Sequence, residues 1–151
     1  MGTTFADYVA TQDARNTIQL NIRKYTLMLC DALRQNYIEY SIKSHQHRVN
    51  MEVNADYHQK CIDDLKSGKC DYNFYPETGR KYHKIIMEVP NNNRPPSRSV
   101  HAFVDKKTGD LYKAASFKAP AKHVRFNLCI ISDREWLLEN ADWAGGYLYM
   151  R

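Results

Sequence analysis

The chain has 151 residues, 43% of them hydrophobic and 12% aromatic, with a formal net charge of +5. That composition excludes wholesale disorder, and the length fits one domain able to bury a core. No apolar run approaches the ~20 residues of a membrane span, and MGTTFADYVATQDARN lacks the charged start and apolar centre of an export signal, so a soluble cytoplasmic protein without a membrane partner is expected.

Thr3 or Thr4 is a candidate cap for a first short helix through about Gln12, and Asp13 or Asn16 for the next. Residues 16–44 carry a helical pattern. Ile18, Ile22, Tyr25, Leu29, Ala32 and Leu33 recur at three- and four-residue steps, uninterrupted by Gly or Pro. The polar run Ser44-His45-Gln46-His47-Arg48 is expected to end it. Residues 52–66 form a second candidate helix, with Val53, Tyr57, Cys61, Ile62 and Leu65 on one side and Ser67-Gly68-Lys69 as its stop.

Beyond Gly68 the pattern turns to strands. Residues 71–75 read as one strand, 76–80 as a turn and 81–89 as a longer strand. Residues 90–99, with three prolines and three asparagines, are expected to be an irregular loop. A hairpin is expected over residues 100–115. Asp105 opens its turn and Gly109 supplies a positive φ at the exit. Residues 124–131 read as a further strand. Ser132 and Glu135 then have the spacing of a capping box, opening a short helix anchored by Trp136, Leu137 and Leu138. The aromatic end, residues 143–150, is expected to pack as a final strand or dock on a partner, since exposed it would be a sticky edge. The fold class is therefore α+β. Helices in the first 68 residues or so pack on a small antiparallel sheet built around the 100–115 hairpin, and a short helix follows near the C-terminus, all in one domain.

Charge is concentrated. Between Arg94 and Arg125 eight cations face two anions, Asp105 and Asp110, giving +6 against +5 for the whole chain. One positive face is expected. Lys113, Lys118, Lys122 and Arg125 alternate with Tyr112, Phe117, His123 and Phe126, a pattern suited to phosphates and to bases or a nucleotide ring. The candidate phosphate-binding set is Arg94, Arg98, Lys113, Lys118, Lys122 and Arg125, and the candidate stacking set is Tyr112, Phe117 and Phe126. Lysines on hairpins also serve simply to solvate an edge.

Other chemistry is thinner. Cys30, Cys61, Cys70 and Cys129 are widely spaced and are expected as reduced thiols, Cys30 and Cys129 within the core. His45, His47, His58 and Cys61 lack the close, regular pairs of a structural zinc site, and no metal or cofactor is expected. His83, His101, His123, Asp105, Asp110 and Glu88 are acid–base candidates, yet none falls in a nucleophile elbow, a phosphate-binding glycine loop or a metalloprotease His pair.

The run from Asp105 to Arg125, with Thr108-Gly109-Asp110, Tyr112-Lys113, Ala115-Ser116-Phe117, Pro120-Ala121-Lys122 and Arg125, resembles a segment of small uncharacterised proteins of tailed bacteriophages. The resemblance covers about a seventh of the chain. It implies an accessory or early protein acting in the host cytoplasm and implies no activity. The expected function is non-enzymatic binding of nucleic acid or a nucleotide-like phosphate ligand through the basic, aromatic-interleaved face. The alternative is a protein–protein module, such as a host-directed inhibitor or minor virion component, for which the tyrosine content and aromatic tail speak. A homo-oligomer is compatible with either.

Overall fold

A computed structural model describes residues 4–149; Thr3, the other candidate cap, and Met150 lie outside them. The chain opens with one helix, α1 (Phe5–Asn50), capped by Thr4, whose hydroxyl accepts from the Asp7 amide at 3.1 Å. At 46 residues it is about 69 Å long. The expected break at Asp13 or Asn16 does not occur. The Thr17 hydroxyl donates to the Asp13 carbonyl within the helix, and no Gly or Pro interrupts the turn. Nor does 44–48 end it, because His, Gln and Arg there are tolerated by a helix. Termination waits for Met51, Glu52 (φ 57°) and Asn54 (φ 49°). Ile22, Thr26, Leu29 and Leu33 form the buried stripe, and the Thr26 hydroxyl is satisfied by the Ile22 carbonyl at 2.8 Å. Ile18, expected on that stripe, is exposed, because α1 overshoots the sheet at its N-terminal end.

α2 (Ala55–Lys66) folds back along α1, burying Ile62, and stops at Gly68 with φ 92°. Five strands follow: β1 (Asn73–Thr78), β2 (Tyr82–Asn91), β3 (Arg94–Asp105), β4 (Asp110–Lys113) and β5 (Phe126–Asn127). They pair in sequence order, all antiparallel. Alternation along the strands sends Phe74, Ile85, Ala102, Val104 and Leu111 toward Ile22, Leu29 and Leu33 of α1. Leu128, Leu137 and Leu148 close the same core.

The hairpin is as expected. Phe103 pairs with Tyr112, the Asp105 carboxylate accepts from the Lys107 and Thr108 amides at 2.8 and 3.1 Å, and Gly109 has φ 80°. Residues 90–99 are not a loose loop. β2 and β3 continue as a two-stranded ribbon, Val89 opposite Ser97 and Asn91 opposite Arg94, turning at Asn92-Asn93 with Asn93 at φ 53°. Pairing with β1 stops at Glu88 and with β4 at Ala102, so the ribbon has two free edges. Prolines cost nothing on an edge that needs no donor.

The 124–131 strand is reduced to Phe126–Asn127, since His123 adopts φ 71° and Asp133 captures the Asn127 amide at 2.8 Å. That contact also displaces the capping box. α3 (Ile131–Asn140) begins one residue before Ser132, with Ile130 at the cap and no side-chain cap bond. The aromatic end forms a single 3₁₀ turn, Gly146–Leu148, rather than a strand. The Asp142 carboxylate holds the Gly146 and Tyr147 amides, and Trp143 packs against Tyr37 and Tyr40 of α1. Cys30 is buried, which pushes its thiol up to about 12; Cys129, expected in the core, is exposed at the start of the α3 approach. No helix among the described residues is long and apolar enough to cross a membrane.

Candidate nucleic-acid interface

The six cations singled out in the sequence do not share one face. Arg125 is consumed by the fold: its Nε donates to the Leu148 carbonyl at 2.7 Å and its Nη1 to the Lys122 and His123 carbonyls at 2.7 and 2.6 Å. Arg98 pairs with Glu77 and donates to the Tyr75 hydroxyl, which donates to Glu88 in turn. Lys113 pairs with Ala102, so its side chain leaves from the α1 side of the sheet, and Nζ lies 4.8 Å from the Tyr149 ring centroid. Arg94 is exposed beside the ribbon turn, far from the others in the register, while Lys118 and Lys122 are exposed in the loop after β4.

Of the stacking set, Phe126 lies against Trp136, ring centroids 5.1 Å apart, and faces the core. Tyr112 and Phe117 are differently placed. The register puts Tyr82, Lys84, Phe103 and Tyr112 on the face turned away from α1. There Tyr82 meets Phe103 and Tyr112 edge-on at 5.5 and 6.2 Å. The loop 114–121, closed by an Ala114–Pro120 bridge, folds back so that Lys84 Nζ lies 4.8 Å from the Phe117 ring and 5.8 Å from that of Phe103. Phe103 is fully buried, and Phe117 is 44% exposed. This outer face therefore carries half-exposed rings interleaved with Lys81 and Lys84, with Lys118 exposed next to Phe117 in the loop.

A second cationic feature is invisible in the linear sequence. In an antiparallel meander alternate turns share an end, so the β1–β2 and β3–β4 turns lie together: the Lys106 amide donates to the Lys81 carbonyl, and Lys106 Nζ to the Gly79 carbonyl at 3.0 Å. The N-terminal half of α1 runs past this end. Between them three cavities of about 610, 450 and 370 Å³ join at Gln19 into one trench. Arg15, Arg23, Arg80, Lys81, Lys106 and Lys107 line it against a single carboxylate, Asp105, which already accepts two backbone amides. The two ion pairs among the described residues, Lys69–Asp64 and Arg98–Glu77, involve none of these cations. His83, on the wall toward β2, is held below its ordinary value by burial and then by Lys106 and Arg23. Lys81 lines the trench while its Nζ lies 5.3 Å from the ring centroid of Tyr82 on the outer face, so it stands between the two.

Arg15 and Arg23 carry no local signal, being two cations on a long mixed helix. Arg80-Lys81 and Lys106-Lys107 are readable only once the meander is granted, because that topology alone puts the first and third turns side by side.

The acid–base candidates do not converge. His101 is the extra residue of a bulge between Ile85/Ala102 and Ile86/Val100, and its Nε2 meets the Tyr147 hydroxyl at 2.8 Å; burial lowers it to about 4, against a smaller opposing effect from Asp142. His123 is exposed in the loop before β5. His45 and His58 meet Nδ1 to Nδ1 at 2.7 Å across α1 and α2. Among the described residues no three His, Cys, Asp or Glu side chains gather for a metal.

Fold and surface together define an α+β protein: a long helix laid across a five-strand antiparallel meander, with a cationic trench at the end where the helix overshoots. The chain belongs to a family of unknown function (DUF7717), whose model matches residues 5–150. No curated protein and no solved structure matches it.

Proposed function

We propose that the protein binds single-stranded nucleic acid without catalysis. Bases would stack on the outer sheet face and phosphates would follow the cations from Lys118 and Lys84 through Lys81 into the trench. The observation that supports this most is the convergence of six cations from three separated segments on a surface lined by one carboxylate, Asp105. Gathering like charge opposes folding, so a packing role does not account for it. Rings beside cations suit a strand whose bases are unpaired, since every base offers a π-face. The resemblance of residues 105–125 to phage proteins adds the finer reading of an accessory protein working on nucleic acid in the host cytoplasm.

The test is fluorescence anisotropy with a labelled single strand and the same sequence as duplex. The single strand is expected to bind more tightly, and Phe117→Ala to weaken it about tenfold, the lower range for loss of one stacked base. Equal binding of both forms, unchanged in Phe117→Ala, would contradict stacking on this face.

A second reading, a protein–protein module or homo-oligomer, is favoured by one observation. The first turns of α1 carry Phe5, Tyr8, Val9 and Ile18 exposed, Phe5 at 82%. Light scattering of the chain with and without Phe5→Ser/Val9→Ser distinguishes it, since a self-associating helix would lose its partner.

A further inference from the structure

His83 occupies an unusual place for an imidazole. It sits opposite Val104 on the core side of β2 and is 3% exposed. A polar side chain so buried is costly unless its nitrogens are satisfied. Nδ1 meets the Thr78 hydroxyl at 2.8 Å. Nε2 makes no hydrogen bond among the described residues, which leaves it as the polar atom His83 offers to the cavity of about 610 Å³ that it lines.

The other groups of that cavity point to one kind of guest. The direction of the Thr78–His83 contact depends on the imidazole tautomer: in the one where the Thr78 hydroxyl donates to Nδ1, Nε2 carries the proton and is a donor, and this is the tautomer an anion in the cavity selects. Arg23 brings a guanidinium with no partner among the described residues. Lys106 uses one N–H on the Gly79 carbonyl and keeps two. Asn16 and Gln19 add amide donors, Leu20 an apolar wall, and no carboxylate lines the space. Its volume is in the range of small-ligand sites. A phosphate monoester carries about −1.5 to −2 charge and three acceptor oxygens on one end, which suits donors converging from one side. An internal phosphodiester is singly charged and substituted on two sides, and suits the open part of the trench instead.

We infer that the His83–Arg23–Lys106 cavity is a phosphomonoester site, taking the terminal phosphate of an oligonucleotide or the phosphate of a free mononucleotide. It rests on reading the trench as an anion-binding surface, and names the group that its inner end takes.

The experiment compares one labelled single strand with hydroxyls at both ends, with a 5′-phosphate and with a 3′-phosphate, together with direct calorimetric titration of adenosine monophosphate and of inorganic phosphate. One phosphorylated end is expected to bind about tenfold more tightly than the hydroxyl form, in keeping with two or three charge-assisted hydrogen bonds. The ratio falls to about one in Arg23→Gln, an exposed position where folding is not at stake, and in His83→Gln. Mononucleotide binding with oligonucleotide preference absent assigns the site to the free ligand; preference without mononucleotide binding assigns it to the polymer end. Either supports the site. Tight, salt-dependent binding of all three strands with equal affinity, and no mononucleotide binding, overturns the site and leaves the polymer reading standing. Mononucleotide binding with no strand bound at low salt does the reverse. Inorganic phosphate binding as tightly as the mononucleotide, with no preference among the three strands, would overturn the monoester assignment and leave a general anion site.

Discussion

The bulged His101 gives the fold a defined acid weakness. In the native chain its ring is enclosed, edge-on to Phe74 at 5.8 Å and stacked on Tyr147 at 5.6 Å, with Nε2 on the Tyr147 hydroxyl. It protonates only near pH 4, whereas the ordinary value of 6.5 applies in the unfolded chain. Above pH 6.5 neither state holds the proton and the histidine is neutral to the balance. As pH falls from 6.5 toward 4, the unfolded state binds a proton that the native state refuses, so stability drops; below about 4 both are protonated and the loss levels off. At 1.36 kcal/mol per unit the loss across that window is about 3 kcal/mol. Urea unfolding followed by Trp136 and Trp143 fluorescence at pH 7.5, 6.5, 5.5 and 4.5 measures it. His101→Gln keeps an amide for the Tyr147 hydroxyl and removes the titration. The variant is expected to be less stable at pH 7.5, from lost ring packing, but to lose about 2–3 kcal/mol less than the parent between pH 7.5 and 4.5. Parallel profiles for the two proteins would refute a buried neutral His101. Carboxylate titration is common to both and cancels in the comparison.

Other perturbations separate structural from binding roles. Gly109→Ala forces a side chain onto φ 80° and brings its Cβ to 2.9 Å from the Cys129 sulfur; thermal unfolding is expected to show about 1–3 kcal/mol of destabilisation. Arg125→Ala leaves the Leu148, Lys122 and His123 carbonyls without their donor, and is expected to cost about 2–3 kcal/mol by denaturant titration. Its effect on oligonucleotide affinity should vanish once folded protein is counted, unlike that of Lys84→Glu. Arg98→Gln should leave the salt dependence of binding unchanged, because Glu77 already neutralises that guanidinium.

Local chemistry in the sequence carried the hairpin far. Asp105 and Gly109 sit four residues apart with their turn roles intact, and nothing distant competes for them. Where a distant partner did compete, the local signal failed. Ser132 and Glu135 have capping-box spacing, but Asp133 is drawn to the Asn127 amide and the helix starts earlier. Pro95 and Pro96 argue against a central strand, and the ribbon they occupy is an edge on both sides. Asp13 and Asn16 are good caps, yet a helix already propagating through residues without Gly or Pro has no reason to stop for them. The site suffered most. Summing charge along residues 94–125 counts Arg98 and Arg125, whose charges are committed to Glu77 and to backbone carbonyls. It misses Arg15, Arg23, Arg80 and Lys81, which only the meander and the overshooting helix bring to Lys106 and Lys107.

The most direct measurement is the salt dependence of single-strand affinity for the parent chain and for Arg80→Glu/Lys107→Glu. Six trench cations each neutralising a phosphate predict a slope of log K on log[salt] of about −4. The double reversal, at two turn positions where folding does not depend on the charge, should flatten that slope to about −1 to −3 and weaken binding at low salt at least tenfold. A parent slope near zero, or a double variant that binds as the parent does, would contradict the trench as the phosphate-binding surface.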